Sequence, residues 1–181
     1  MYTEEIVEEY DDDGNMVGTI KKSDAHVTGA WHKAAHVFIV NSKNELLLQQ
    51  RAGNKYRDPN KWQHSASGHV SAGEDSRTAA IRETEEEIGI KIKPEELRNL
   101  FSIKEIYRTP KVFDCEICDV FLVKKDIKST DIKTEDGEVI ATKFVSVDNF
   151  FAMVDAKDPT LATHDEIYYQ IKPILLHKLY M

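Results

Sequence analysis

The chain has little cysteine, little proline and no long apolar stretch. Cys115 and Cys118 are the only cysteines in 181 residues. Two are too few for a disulfide framework and fit a reducing compartment. No apolar run approaches the ~18 residues a membrane-spanning helix needs. The opening Met1-Tyr2-Thr3-Glu4-Glu5 is acidic and lacks a basic-then-apolar secretory pattern. The expected location is therefore cytoplasmic, with no membrane partner. With 5 prolines and 8 glycines there is no linker or low-complexity tract. Basic residues are also sparse: 24 Lys and Arg face 32 Asp and Glu, for a net charge of -8. Seven of the acids (Glu4, Glu5, Glu8, Glu9, Asp11, Asp12, Asp13) fall in the first fifteen residues. This balance argues against a nucleic-acid duplex as partner. A phosphate-bearing substrate would need a metal ion or a few placed cations.

What is present is an ordinary folded composition, 41% hydrophobic and 31% charged. The length predicts one domain over residues 1–181. Ile6–Tyr10 and Met16–Ile20 flank an Asp/Gly/Asn turn and predict an N-terminal hairpin within about 5–22. His36–Val40 and Glu45–Arg51, joined by Asn41-Ser42-Lys43-Asn44, predict a second hairpin. Residues 52–63 read as a loop and Ser65–Val70 as a short strand. A helix is predicted from Ser76 to Ile88, stopped by Gly89. Strands follow at Phe101–Tyr107, Phe113–Val123 and Ala141–Val145, then a short helix at Val147–Val154. A last helix, about 164–180, opens with the capping-box pattern Thr163-His164-Asp165-Glu166 and carries Pro173. The sum is a mixed α/β domain with helices on a largely β core.

Chemistry concentrates in Gly68–Ile90, GHVSAGEDSRTAAIRETEEEIGI. At ~100° per residue, Ala80, Ile81, Thr84 and Ile88 share one arc of the helix. Glu83, Glu86 and Glu87 share the next. Carboxylates one turn apart repel by a few tenths of a kcal/mol per pair. Arg82, four residues before Glu86, offsets part of this. The face is either a solvated acidic surface or a site for a hard cation such as Mg²⁺ or Mn²⁺, whose preferred ligands are oxygens. Gly68 and Gly73 bracket a tight loop before the helix, where a backbone carbonyl can reach a metal. Glu74 stands where a carboxylate can tie that loop to backbone amides.

The segment resembles the Nudix box, G-x5-E-x7-R-E-U-x-E-E-x-G-U with U bulky and apolar. Gly68, Glu74, Arg82, Glu83, Glu86, Glu87, Gly89 and Ile90 match, and Thr84 departs mildly at the first U. At residue frequencies of roughly 5–10%, seven fixed identities arise by chance about 10⁻⁸ of the time per register. The resemblance implies the Nudix fold, an α/β/α sandwich with a mixed β-sheet. It also implies Mg²⁺- or Mn²⁺-dependent hydrolysis of a diphosphate linkage in a small molecule, such as a nucleoside diphosphate derivative. Glu83, Glu86 and Glu87 would hold the metal with the Gly68 carbonyl, Glu86 or Glu87 would take a proton, and Glu74 and Arg82 would be structural.

From about Gly18 to Phe121 the chain further resembles the type 1 isopentenyl-diphosphate isomerases. Gly18-Thr19-Ile20-Lys21-Lys22 precedes His26 and His32, His69 follows Gly68, and Asp114 and Glu116 stand where that family has two carboxylates. Strand alternation puts Asp114 and Glu116 on one face. The resemblance implies a second metal site, for Zn²⁺ or Mn²⁺, from His26, His32, His69, Asp114 and Glu116. Two departures count against isomerase activity. Ser67 replaces the family's cysteine, and no tryptophan follows Trp62. Hydrolysis is therefore the expected activity, with a Ser67 isomerase as the alternative and a catalytically silent binding module as a third reading. The family resemblance also points to Arg51 and Lys55 as diphosphate-binding cations. Tyr56, Trp62 and Tyr107 would stack on a substrate or simply pack. A homodimer stays open. Cys115 and Cys118 have C-x-x-C spacing, but on opposite faces of a strand, which argues against a redox pair.

Overall fold

A computed structural model describes residues 4–134 and 137–179. The N-terminal hairpin is present as β1 (Ile6–Tyr10) and β2 (Met16–Lys21). The Asp11 carboxylate accepts from the amides of Asp13 and Asn15, at 2.9 and 2.8 Å, and fixes the turn. β2 runs straight into α1 (Lys22–Thr28). The sequence pattern does not announce this helix, because only Ala25 and His26 are buried on it and there is no apolar stripe. Gly29 ends it at φ 76°, left-handed.

The hub of the sheet is β3 (Trp31–Val40). Along its whole length it pairs in parallel with β8 (Phe113–Lys124), from Trp31↔Cys115 to Val40↔Lys124. Its other edge takes β6 (Ala66–His69) antiparallel. β7 (Leu97–Arg108) pairs with the far side of β8. The expected second hairpin is only half right. β4 (Glu45–Arg51) does return, but its register with β3 is limited to Val40↔Leu46 among the described residues. Both edges of β3 are already taken, so β4 pairs instead with β9 (Val139–Ser146) and with the two-residue β5 (Trp62–Gln63). The sheet thus opens into two wings that meet at Val40.

Ala34–Val40 are all buried, as expected for a strand covered on both faces. Ala35, Val37 and Ile39 pack under α2 (Ser76–Ile88) against Ala79, Ala80 and Ile88. Phe38 and Val40 face α3 (Val147–Asp155) and α4 (Asp165–Leu176), meeting Phe150, Phe151, Ile167, Tyr168 and Ile171. The result is the anticipated α/β/α sandwich. Helix α2 has the predicted bounds, with the Asp75 carboxylate accepting from Thr78 N–H and Gly89 left-handed at φ 71°. Thr84 is fully buried and donates its hydroxyl to the Ala80 carbonyl at 2.6 Å, so the odd residue of the box packs as a core residue.

The C-terminal helix is shorter than the expected 164–180. It ends at Leu176, and residue 180 lies outside the described residues. Its capping box does not form. The N-cap is His164, with no side-chain cap, while the Thr163 amide donates to Asp58 at 2.7 Å and its carbonyl accepts from Arg57 at 2.6 Å. The loop before β5 therefore claims the groups the pattern would have spent on capping.

Candidate metal and diphosphate site

The box places its carboxylates at different depths. Gly68 is pressed so closely to Glu83 that a Cβ there would collide with the carboxylate. Glu87 is 6% exposed and accepts from Gln49 Nε2 at 2.7 Å and from the Ser67 amide at 2.9 Å. Burial, together with the neighbouring Glu83 charge, pushes its carboxyl up to about 8. Burial raises Glu83 as well, and Arg82 only partly opposes this. Glu86 stays half exposed, with a side-chain exposure of 51%. Arg82 ties the set together. It donates to Glu83 at 2.6 Å, Glu86 at 3.0 Å, Glu74 at 2.9 Å and the His69 carbonyl at 3.0 Å. Glu74 in turn accepts from the Ser71 amide at 3.1 Å, fixing the loop. One buried and one partly buried carboxyl held above their ordinary range, beside a glycine cradle, are the donor chemistry a hard divalent cation satisfies.

A second set converges around His69, the residue after Gly68 on β6. One ring nitrogen from each of His26, His32 and His69 lies within 4.8 Å of the others, and His32, Asp114 and Glu116 form an overlapping group. The parallel register that sets His32 beside Glu116, and α1, which delivers His26, create this meeting. His26 and His69 have their Nε2 atoms 3.0 Å apart. His32 donates Nδ1–H to the Ala30 carbonyl at 2.9 Å, which leaves the lone pair on Nε2. That Nε2 and Asp114 Oδ1 are buried without hydrogen-bond partners, 3.5 Å apart. Burial lowers His26 to about 3, helped by His69 and His32, so it is neutral and ligand-competent. Burial and the Glu116 charge raise Asp114. Burial would raise Glu116 too, but His69 and Arg57 hold it well below the usual carboxylate range. Three imidazoles, one of them with an orphaned ring nitrogen, converging beside two carboxylates fit a transition metal.

Between the two sets lies a cleft of about 390 Å³ lined by Glu83, Glu87, Ser67, Gly68, His69 and Glu116, and by Lys22, Arg51, Lys55 and Arg57. Arg51 donates to the Arg57 carbonyl and to Gln63 at 3.0 and 2.9 Å, while Lys55 is ion-paired with Glu138. A larger neighbouring cleft of about 1120 Å³ shares Lys22 and Tyr56 with it and is lined by Val27, Pro110 and Val112. Trp62 packs against the core rather than the cleft. Cys115 and Cys118 are free and buried, and burial raises both thiols.

Sequence reasoning named Tyr56 and Tyr107 only as stacking or packing candidates and did not foresee the contacts they make here. Tyr56 donates to Asp114 at 3.0 Å and lies 3.1 Å from His26 Nε2. Arg57 is 5% exposed and bridges Glu105 at 2.6 Å and Glu116 at 3.1 Å, with its guanidinium 4.7 Å from the Tyr107 ring. Burial would raise Glu105, but His164 and Arg57 hold it down to about 2. The one local signal was the alternation of Glu105 and Tyr107 along β7. Nothing local marks Arg57.

The NUDIX domain family model matches residues 30–169. The chain belongs to the Nudix family. An uncharacterized Nudix hydrolase of Clostridium acetobutylicum is 29% identical over 85% of this chain and 76% of its own length. Isopentenyl-diphosphate Delta-isomerase 1 of Photorhabdus laumondii is 38% identical over 76% of this chain and 77% of its own. In fold, a crystal structure of a Deinococcus radiodurans protein superposes with a TM-score of 0.73 at 19% identity, covering 92% of this chain and 98% of that one. Nudix hydrolases generally use a divalent metal such as Mg²⁺, and relatives of the family act on small-molecule diphosphates. No helix among the described residues is long and apolar enough to cross a membrane.

Proposed function

We propose that this chain is a Nudix hydrolase that cleaves the diphosphate linkage of a small molecule, with Mg²⁺ or Mn²⁺ held by Glu83, Glu86, Glu87 and the Gly68 carbonyl. The observation that carries the reading is the gathering of Glu83, Glu87 and Gly68 with Lys22, Arg51 and Lys55 around one cleft. The bound ion would neutralise phosphate charge and acidify a water. Arg51 and Lys22 would orient the phosphates, and Lys55 would join them by leaving Glu138. Glu86, the most exposed of the three, would accept a proton from water. Glu87 is positioned by Gln49 and the Ser67 amide to hold its carboxylate toward the cleft. The larger apolar cleft, continuous through Lys22 and Tyr56, would take the part of the substrate beyond the diphosphate.

A second reading, isopentenyl-diphosphate isomerisation, is favoured by the assembled His26, His32, His69, Asp114 and Glu116 group, which would hold a second metal. Against it, Ser67 faces the cleft and its hydroxyl accepts from Gln63 Nε2 at 3.1 Å. A serine hydroxyl is a far weaker acid than a thiol, so it protonates an alkene poorly. Incubation with Mg²⁺ and a panel of nucleotide and isoprenoid diphosphates, with products identified by mass, separates the readings. Hydrolysis yields phosphate or a monophosphate that disappears in Glu86→Gln. Isomerisation yields an allylic diphosphate with no phosphate released. Unchanged substrates throughout would overturn both.

A further inference from the structure

Four residues beyond His32 on β3, roughly 13 Å along the strand, is a second histidine group that the diphosphate chemistry leaves unused. It comprises His36 of β3, His64 between β5 and β6, and His164 at the N-cap of α4. They are 2%, 0% and 4% exposed. One ring nitrogen from each lies within 4.8 Å of the others, and the ring centroids form a near-equilateral triangle with sides of 4.9, 5.2 and 5.3 Å. We propose that His36, His64 and His164 form a three-histidine site for a transition-metal ion of the Zn²⁺ type, sharing no histidine with the His26, His32 and His69 group.

Four observations support the assignment. First, all the imidazoles have a nitrogen available. Glu105 Oε2 and Arg57 Nη2 lie 2.8 and 3.2 Å from His164 Nδ1, so both contacts fall on that nitrogen rather than on Nε2. A carboxylate behind a histidine in this way is the usual support of a metal-bound imidazole. Second, two of the rings already turn a nitrogen toward each other. His36 Nδ1 and His64 Nε2 share one hydrogen bond at 2.9 Å, while His36 Nε2 and His64 Nδ1 are buried with no partner. Two Zn–N bonds of about 2.0–2.1 Å at a tetrahedral angle set the nitrogens about 3.4 Å apart, so the pair need open only by about half an ångström. Third, the rings are held in place. Phe38 stacks on His64 with centroids 4.5 Å apart, and Tyr168 meets His64 and His164 edge-on. Fourth, there is a way in. His36 and His164 line the same 390 Å³ cleft as the box carboxylates, which leaves an open fourth position toward it. Three imidazoles with no carboxylate among them select a transition metal over Mg²⁺.

The assignment does not rest on the hydrolase reading, and its test needs no turnover. The full chain is stripped with chelator, then titrated with Co²⁺ in excess Mg²⁺, which keeps the box carboxylates occupied. Visible d–d absorption and elemental analysis are followed together. Wild type is expected to bind two equivalents. His64→Gln and His164→Gln should each lose one and keep the other, and His32→Gln should lose the complementary one. Cobalt stoichiometry unchanged in both His64→Gln and His164→Gln overturns the proposal. Ring ¹⁵N NMR of the wild type during Zn²⁺ titration decides the matter even if the variants do not fold. Six of the 7 histidines should shift, all but His177. Shifts confined to His26, His32 and His69 would mean that the inner triangle is an aromatic packing cluster, and the proposal fails.

Discussion

Replacing Arg57 with methionine tests the electrostatic core of the site. The guanidinium is buried, donates to Glu105, Glu116 and the Thr163 carbonyl, and covers the Tyr107 ring. Methionine keeps most of the volume and removes the charge, leaving Glu105 and Glu116 buried and short of a cation. Breaking a buried ion pair by removing one partner costs about 3–5 kcal/mol. An independent route gives a similar figure. Glu105 is held at about 2 against an ordinary 4.5, a shift worth about 3 kcal/mol at 1.36 kcal/mol per unit. His164 supplies the larger part of that and survives in the variant, so the Glu105 shift bounds the Arg57 share from above and about 3 kcal/mol, the lower end of the ion-pair range, is the expected loss. For a domain of this size that lowers Tm by roughly 6–12 °C. The pH dependence has a definite sign. Because the folded carboxyl lies below its ordinary value, its stabilisation is complete above pH 4.5 and fades as pH falls toward 2. In Arg57→Met the two orphaned carboxyls take up protons more readily, so the deficit is largest at pH 7 and shrinks at pH 4. Adding Glu105→Gln to Arg57→Met should recover part of the loss. Urea melts followed by circular dichroism in EDTA, at both pH values, read it directly. A deficit under about 1 kcal/mol at pH 7, or one equal at both pH values, would refute the reasoning.

Three further outcomes are expected. Glu86→Gln should lower Mg²⁺-dependent diphosphate hydrolysis by about 10²–10⁴-fold with little change in Tm, since the side chain is half exposed and its loss removes only the proton acceptor. An unchanged kcat would move that role elsewhere. Gly68→Ala should displace the Glu83 carboxylate and weaken Mg²⁺ activation, seen as a higher Mg²⁺ concentration for half-maximal rate; wild-type Mg²⁺ dependence would show that the close approach is not needed. Because Glu87 stands at about 8 in the metal-free chain, Mg²⁺ binding at pH 7 should release close to one proton. Calorimetry in two buffers of different ionisation enthalpy measures it, and no buffer dependence would contradict the raised carboxyl.

The sequence by itself determined the α2 helix, its caps and the three-carboxylate face, because a 3.6-residue period and a local loop motif are written in neighbouring residues. It also gave most strands, through alternation and turn chemistry. The front histidine set was legible only through resemblance, since His26, His32 and His69 lie too far apart for any periodicity to join them. The tertiary structure alone decided that β3 would pair with β8 rather than β4, and so that His32 would meet Glu116. It alone brought Arg57 to Glu105 and Glu116 across 48 and 59 residues, and His164 to Glu105 across 59. It alone closed the triangle of His36, His64 and His164. The physical reason is one of range. Helix faces and caps are fixed by contacts three or four residues apart, whereas these clusters depend on strand register and on how a polar loop buries its one guanidinium, which spacing along the chain does not encode.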